Sequence, residues 1–249
     1  MHHKKIQYLA WDSKFWGYKV GKIIYDVFSK ELLKDIIYNA RKEGFVLLYA
    51  FIDPHNSSTN QFFLENNGLL VDEKITYVKN LAAAQIFADD NKCIISYKNR
   101  PLTKNLADLA IQAGTYSRFR LDPHFVYGEY KHLYTKWIEN SLNGIISDDV
   151  FVYLQDNKEV GFITLSMKQE RADIGLLSVN TEFQGRGIGT ALIITAEEEA
   201  IAMDKKIIQV VTQKNNIPAC HLYEKCGFKK ERIENVYHFW LTEDNENSL

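Results

Sequence analysis

Apolar and polar positions change period along this chain in a repeated order. Towards the carboxy end, residues 174–179 form an apolar, strand-like run and residues 191–203 a helix-like one, and residues 207–212 are β-branched and strand-like. Asn216 suits an N-cap, Pro218 a first helical turn and Gly227 a helix end, which predicts a helix between them. Ala219, Leu222, Tyr223 and Cys226 then share one face at i, i+3, i+4, i+7. The amino-terminal third runs in the same order: strand 18–25, helix 29–42, strand 45–52, helix 57–66, strand 75–79. Further strands are predicted at 93–97 and 150–154.

Wording repeats as well as order. Asn60-Gln61-Phe62-Phe63-Leu64-Glu65-Asn66-Asn67-Gly68-Leu69 parallels Ala219-Cys220-His221-Leu222-Tyr223-Glu224-Lys225-Cys226-Gly227-Phe228, with Glu65 and Gly68 identical and Leu64 standing at the place of Tyr223. The pattern predicts an α/β protein of two domains, residues 1–91 and 92–249, divided at the polar stretch 88–92.

The most informative stretch lies between strand 174–179 and helix 191–203. It reads Phe183-Gln184-Gly185-Arg186-Gly187-Ile188-Gly189-Thr190. A glycine-rich turn opening a helix aims several backbone N–H groups at one point, and the helix dipole adds positive charge there. Gly187 and Gly189 let main chain approach a ligand with no Cβ in between. This is the chemistry of a phosphate or pyrophosphate site. A Walker loop is excluded, because Gly189 is followed by Thr190-Ala191 rather than Lys-Ser/Thr. A dinucleotide fingerprint is excluded too, since Gly185, Gly187 and Gly189 run G-x-G-x-G and no acid ends the next strand.

Gln-x-x-Gly-x-Gly resembles the acyl-CoA pyrophosphate loop of the GNAT superfamily of N-acetyltransferases. Asn216-Ile217-Pro218-Ala219-Cys220-His221-Leu222-Tyr223, followed by Gly227-Phe228, resembles that superfamily's second signature. The resemblance implies a GNAT fold: a mixed, mostly antiparallel central sheet flanked by helices, in which two parallel strands splay around the pantetheine arm of acetyl-CoA. Those strands map to 174–179 and 207–212. Leu177, Ser178, Val179, Gln184, Gly185, Arg186, Gly187, Ile188, Gly189, Thr190, Asn216, Ala219 and Tyr223 are then expected to bind the cosubstrate. Tyr223 falls at the position of the general acid that protonates the leaving thiolate. A backbone N–H near Val179 is expected to hold the thioester oxygen. For the general base, Asp173, Ser178, His124 and Glu129 stay open. On the same resemblance the amino-terminal third is a degenerate GNAT half: its turn at residues 26–30 lacks the pyrophosphate loop.

Between strands 93–97 and 150–154 lies a segment dense in aromatic and basic residues. Arg118 and Arg120 suit a diphosphate; Phe119, His124 and Phe125 suit a base or sugar. Ser117-Arg118-Phe119, Asp122, Phe125 and the later Tyr134-x-x-Trp137-Ile138 are similar to the dTDP-fucosamine acetyltransferase family, as is the opening Asp12-Ser13-Lys14-Phe15-Trp16-Gly17. That similarity implies a small-molecule nucleotide-sugar acceptor, acetylated on the 4-amino group of a 4-amino-4,6-dideoxyhexose. A GNAT of another amine, or a CoA-binding sensor without turnover, stays in play.

Composition narrows the field. At 249 residues, with 46% hydrophobic and 25% charged, the chain is ordinary for a globular protein. A net charge of −2 excludes broad nucleic-acid binding. No apolar run approaches the roughly 20 residues of a membrane span. The opening Met1-His2-His3-Lys4-Lys5 lacks the apolar core of a signal peptide, which predicts a cytoplasmic protein. Three cysteines and seven histidines without ligand spacing predict no metal site. Strand edges of the implied fold admit a homodimer.

Overall fold

The computed structural model describes residues 5–24, 29–81 and 93–241. The elements are β1 (Ile6–Tyr8), α1 (Ala10–Trp16), β2 (Lys19–Ile23), α2 (Lys30–Lys42), β3 (Phe45–Ile52), α3 (Ser57–Glu65) and β4 (Leu69–Asn80). They are followed by β5 (Ile94–Ser96), α4 (Lys104–Ala113), α5 (Arg118–Leu121), α6 (Glu129–Leu142), β6 (Asp149–Gln155), β7 (Lys158–Met167) and β8 (Arg171–Val179). The chain then forms α7 (Ile188–Ala202), β9 (Ile207–Gln213), α8 (Ile217–Lys225) and β10 (Lys229–Trp240). Two compact units result, Met1–Lys74 with Ile233–Leu249, and Ile75–Arg232; their boundaries fall inside β4 and β10. The boundary expected at residues 88–92 lies outside the described residues.

In the first unit β1 and β2 are antiparallel, β2 and β3 parallel, and β10 closes antiparallel on β3 with Asn235 opposite Ile52 and Trp240 opposite Leu47. The spacing of Leu33, Ile36, Ile37 and Ala40 gives α2 one apolar face, buried with Phe45, Leu48 and Ala50 of β3. Ser29 starts this helix, its side chain accepting from Leu32 N–H. Phe63 of α3 is fully buried, edge-on to Tyr237 and Phe239 at 5.3 and 5.2 Å.

Asn60 ties α3 into this unit through four bonds. Its Nδ2 donates to the carbonyls of Asp53 and Asn56, and its Oδ1 accepts from Asn235 Nδ2 and Tyr237 Oη, all at 2.8 Å. Truncation leaves buried partners unpaired, so Asn60→Ala is expected to cost about 2 kcal/mol of unfolding free energy. A denaturant titration that moves the midpoint without changing the slope checks it.

The two helices that carry the repeat share a geometry that corrects its register. Asn56 and Asn216 are the N-caps, with side chains accepting from Thr59 and Ala219 N–H and near-identical backbones (φ −80°, ψ 71° and φ −84°, ψ 66°). Gly68 N–H and Phe228 N–H bond back to the carbonyls of Phe63 and Tyr223 at 2.8 and 3.0 Å. The left-handed residues that end the helices are Asn67 (φ 64°) and Gly227 (φ 86°). Phe63 therefore stands where Tyr223 stands, not Leu64, which is 55% exposed. The shared glycine misleads by one position, because asparagine tolerates the left-handed conformation and here takes the turn. The first unit thus has a phenyl ring in place of the phenol.

The second unit has strand order β4-β9-β8-β7-β6-β5. Its pairs are antiparallel from β5 to β8 and parallel between β8 and β9. α4 packs on β7, β8 and α6, and α7 on β6, β7 and β8. Phe162, Ile163, Leu165, Ile174, Leu192, Ile193 and Val210 fill its core. No described helix is long and apolar enough to cross a membrane.

Candidate active site

β8 and β9 begin as neighbours and then part. Their pairing runs from Arg171 with Ile207 to Ile174 with Val210, while β8 continues to Val179 and β9 to Gln213. A β-bulge marks the separation. Ile163 of β7 faces Leu177 and Leu165 faces Ile174, so Thr164 alone opposes Gly175 and Leu176. Buried Thr164 pins the bulge by accepting from Leu176 N–H through Oγ1 at 2.9 Å. A Cβ on Gly175 would lie 2.8 Å from that oxygen, which explains the glycine.

The ladder to β7 sets the direction of the free backbone. Asn180 N–H donates to the Val160 carbonyl at 2.8 Å, so that pair is hydrogen-bonded. Alternation then makes Phe162 with Ser178 hydrogen-bonded, and Gly161 with Val179 and Ile163 with Leu177 not. The N–H groups of Leu177 and Val179 consequently turn away from β7, towards the side that β9 has left. The Val179 carbonyl accepts from Gln184 Nε2 at 3.0 Å and from Gln112 Nε2 of α4 at 2.7 Å. Gln112 also donates to Ser178 Oγ at 3.0 Å.

Past Val179 the chain reaches the glycine-rich turn. α2, α3, α4 and α8 each start on a side chain that accepts a first-turn N–H, whereas α7 starts on Gly187 with no side-chain cap. From Gly185 to Thr190 the backbone N–H groups find no acceptor among the described residues. Gly185 and Gly187 have φ of 75° and 83°, and a Cβ on either would meet nothing within 4 Å. Both are glycine for backbone conformation and open approach, not for packing. Gly189 differs: its Cβ would sit 3.0 Å from Leu222, so it seats α7 against α8. Arg186 folds back, donating to the Glu182 carbonyl and lying 5.0 Å over Phe183. An open, uncapped, glycine-lined helix start fits a pyrophosphate.

Tyr223 lies on α8, 5% exposed, with its ring 5.9 Å from both Tyr77 and Phe228. Its hydroxyl makes no hydrogen bond among the described residues. Burial, and then Cys220 and Cys226, push the phenol's pKa up, so it keeps its proton at neutral pH. Fully buried Tyr77 of β4 donates to Glu224 Oε1 at 2.9 Å, and burial followed by that bond raises its pKa too. Asn216 and Ala219 serve each other, as cap and capped N–H. Ile188 is buried, and Thr190 lies beside the Cys226 thiol.

The four base candidates sort by their partners. Asp173 is held by Lys168 and Gln209, on the paired part of β8. Ser178 is buried and accepts from Gln112. Glu129 accepts from Tyr127 N–H at 2.8 Å. His124 is half-exposed, its Nδ1–H donating to buried Asp122 at 2.8 Å. Elsewhere in that segment Arg118 lies 4.7 Å over Phe119, whose ring is edge-on to buried Phe125. Arg120 donates to the Thr115 carbonyl and lies 5.8 Å over Tyr130. Thr115 Oγ1 in turn donates to the Gln112 carbonyl, which links the segment to the end of β8. Gln112, Thr164 and Tyr77 were not among the residues expected from sequence, since each acts through a partner far along the chain.

A parallel pair that splays at a bulge and leads to an uncapped glycine turn makes a cleft suited to an extended ligand with a phosphate end. Residues 114–228 match the Acetyltransferase (GNAT) family, and the chain carries a GNAT acetyltransferase domain there. It is 31% identical over 138 residues to dTDP-fucosamine acetyltransferase of Escherichia coli O6:H1, covering 55% of this chain and 57% of that one. It is 26% identical over 138 residues to spore coat polysaccharide biosynthesis protein SpsD of Bacillus subtilis, covering 55% of this chain and 47% of that one. A solved tandem GNAT protein from the clavulanic acid biosynthesis pathway shares the fold, with a TM-score of 0.57 at 12% identity over 90% of this chain and 75% of that one. The chain spans about half the length of the curated relatives it matches.

Proposed function

We propose that the protein is an acetyl-CoA-dependent N-acetyltransferase acting on the 4-amino group of a dTDP-linked 4-amino-4,6-dideoxyhexose, dTDP-fucosamine first among them, in surface polysaccharide synthesis. The observation that carries the reaction class is the line of open N–H groups from Leu177 through Val179 to the start of α7. Acetyl-CoA supplies the activated acetyl thioester when bound. Gly185 to Thr190 hold its pyrophosphate on backbone N–H groups. The Leu177 and Val179 N–H groups orient the extended arm between β8 and β9, as an added strand would be held. Because the pyrophosphate turn follows Val179, the reacting end falls back towards Leu177 and the bulge, further from the turn than Val179 itself. Tyr223 Oη holds the proton that a leaving sulfur needs, and orientation of a neutral amine supplies much of the rest.

The acceptor rests on the likeness to the dTDP-fucosamine enzyme and to SpsD, with Arg118 and Arg120 as diphosphate ligands and Phe119, His124 and Phe125 around the sugar. Free-thiol release from acetyl-CoA tests it against dTDP- and UDP-linked amino sugars, including both C4 epimers of the 4-amino-4,6-dideoxyhexose, with polyamines and peptides beside them. Selective turnover of a 4-amino nucleotide sugar is expected. Turnover confined to polyamines or peptides replaces the acceptor, and tight CoA binding with no turnover on any amine leaves a sensor.

A further inference from the structure

The bulge has one side-chain neighbour that the proposed reaction has not used. Trp137 of α6 is half-buried, stacked on Tyr134 at 5.7 Å and 24°. Its Nε1 lies 3.7 Å from the point where a Cβ on Gly175 would stand. Ile174, the residue before Gly175, makes the last pair between β8 and β9. The indole edge therefore looks onto bare backbone at the place where the two strands part. Nε1 makes no hydrogen bond among the described residues and is not sealed from solvent. Indole N–H is a donor only, so an unused indole edge at this place is suited to a molecule that carries a hydrogen-bond acceptor beside its amine. An amino sugar carries one, the hydroxyl oxygen on the neighbouring ring carbon.

We infer that Trp137 is a specificity-determining residue for the acceptor, donating Nε1–H to the hydroxyl on the carbon next to the reacting amine. The inference rests on the N-acetyltransferase reading and narrows its acceptor to ring amines with a vicinal hydroxyl. Extended polyamines lack that hydroxyl. Gly175 leaves the edge clear, and the Tyr134 stack fixes the plane, so the donor is set before the acceptor arrives.

Steady-state kinetics on two variants and two acceptors test this. With Trp137→Ala the acceptor KM is expected to rise about tenfold while the acetyl-CoA KM stays within twofold, a split that general damage to the fold would not give. Wild type is expected to prefer the 4-amino sugar to its 3-deoxy analogue about fivefold, and Trp137→Phe, which keeps a ring but loses the donor, to erase that preference. An unchanged acceptor KM in Trp137→Ala, or a preference that survives in Trp137→Phe, overturns the assignment. If wild type turns over no amino sugar, the acceptor part of the proposed function fails on its own count. Tryptophan emission titrated with the nucleotide sugars then decides the contact: a change lost in Trp137→Phe supports it, and no change overturns it.

Discussion

Tyr223→Phe is expected to lower kcat about a hundredfold and to leave acetyl-CoA affinity within about twofold. The substitution is unusually clean for a buried tyrosine. Its hydroxyl has no hydrogen bond among the described residues, so removal strands no partner, and the ring contacts to Tyr77 and Phe228 persist. Thermal stability should therefore hold, which separates chemistry from folding. The pH profile gives a second readout. A phenol with a raised pKa stays protonated as pH rises and donates until pH passes that raised value. Wild-type turnover should accordingly climb as the acceptor amine loses its proton and show no alkaline decline below about pH 10, the ordinary phenol value. The same burial makes proton release harder, so Tyr223 fits a donor that acts late, once negative charge has built up on sulfur, and not a base. Measured by free-thiol release, turnover within threefold of wild type in the variant removes Tyr223 from the mechanism.

Local signals carried much of this site. The glycine turn is legible because backbone conformation and open approach are written as glycines at Gly185 and Gly187, and α8 because its cap, first-turn proline and left-handed end are residue-specific. Helix α7 starts at Ile188 where apolar periodicity suggests 191, since periodicity registers packing and not the glycine cap. Strand β4 starts at Leu69 where the pattern suggests 75, because Asp72, Glu73 and Lys74 interrupt its apolar alternation. What stayed hidden is long-range. Nothing local marks Thr164 as the pin of the bulge, or Gln112 as the clamp on the Val179 carbonyl; each works through a residue on another element. The repeat was legible as an order of elements but not in register, because its best-matched glycine is not the residue that turns the chain in α3.

Gly187→Val is expected to weaken acetyl-CoA binding about a hundredfold, well beyond what it costs the fold. Two effects add. A β-branched residue at φ 83° is strained by about 1–2 kcal/mol, and the strain falls on the N-cap that aims the first N–H groups of α7. The new side chain meets no protein atom at its Cβ, so it projects into the open space where a pyrophosphate would come against Gly185 to Thr190. Gly128 separates the two effects. It too is a left-handed N-cap, of α6, with φ 79° and no side-chain cap, and its Cβ would meet only Lys131 at 3.9 Å. Gly128→Val should therefore lose comparable stability in a denaturant titration and leave acetyl-CoA affinity unchanged by calorimetry. Equal affinity losses in the two variants would trace the effect to strain in the unit. A loss confined to Gly187→Val places the anion at the start of α7. Added salt should weaken wild-type binding too, since N–H groups and a helix dipole attract charge through a partly exposed medium.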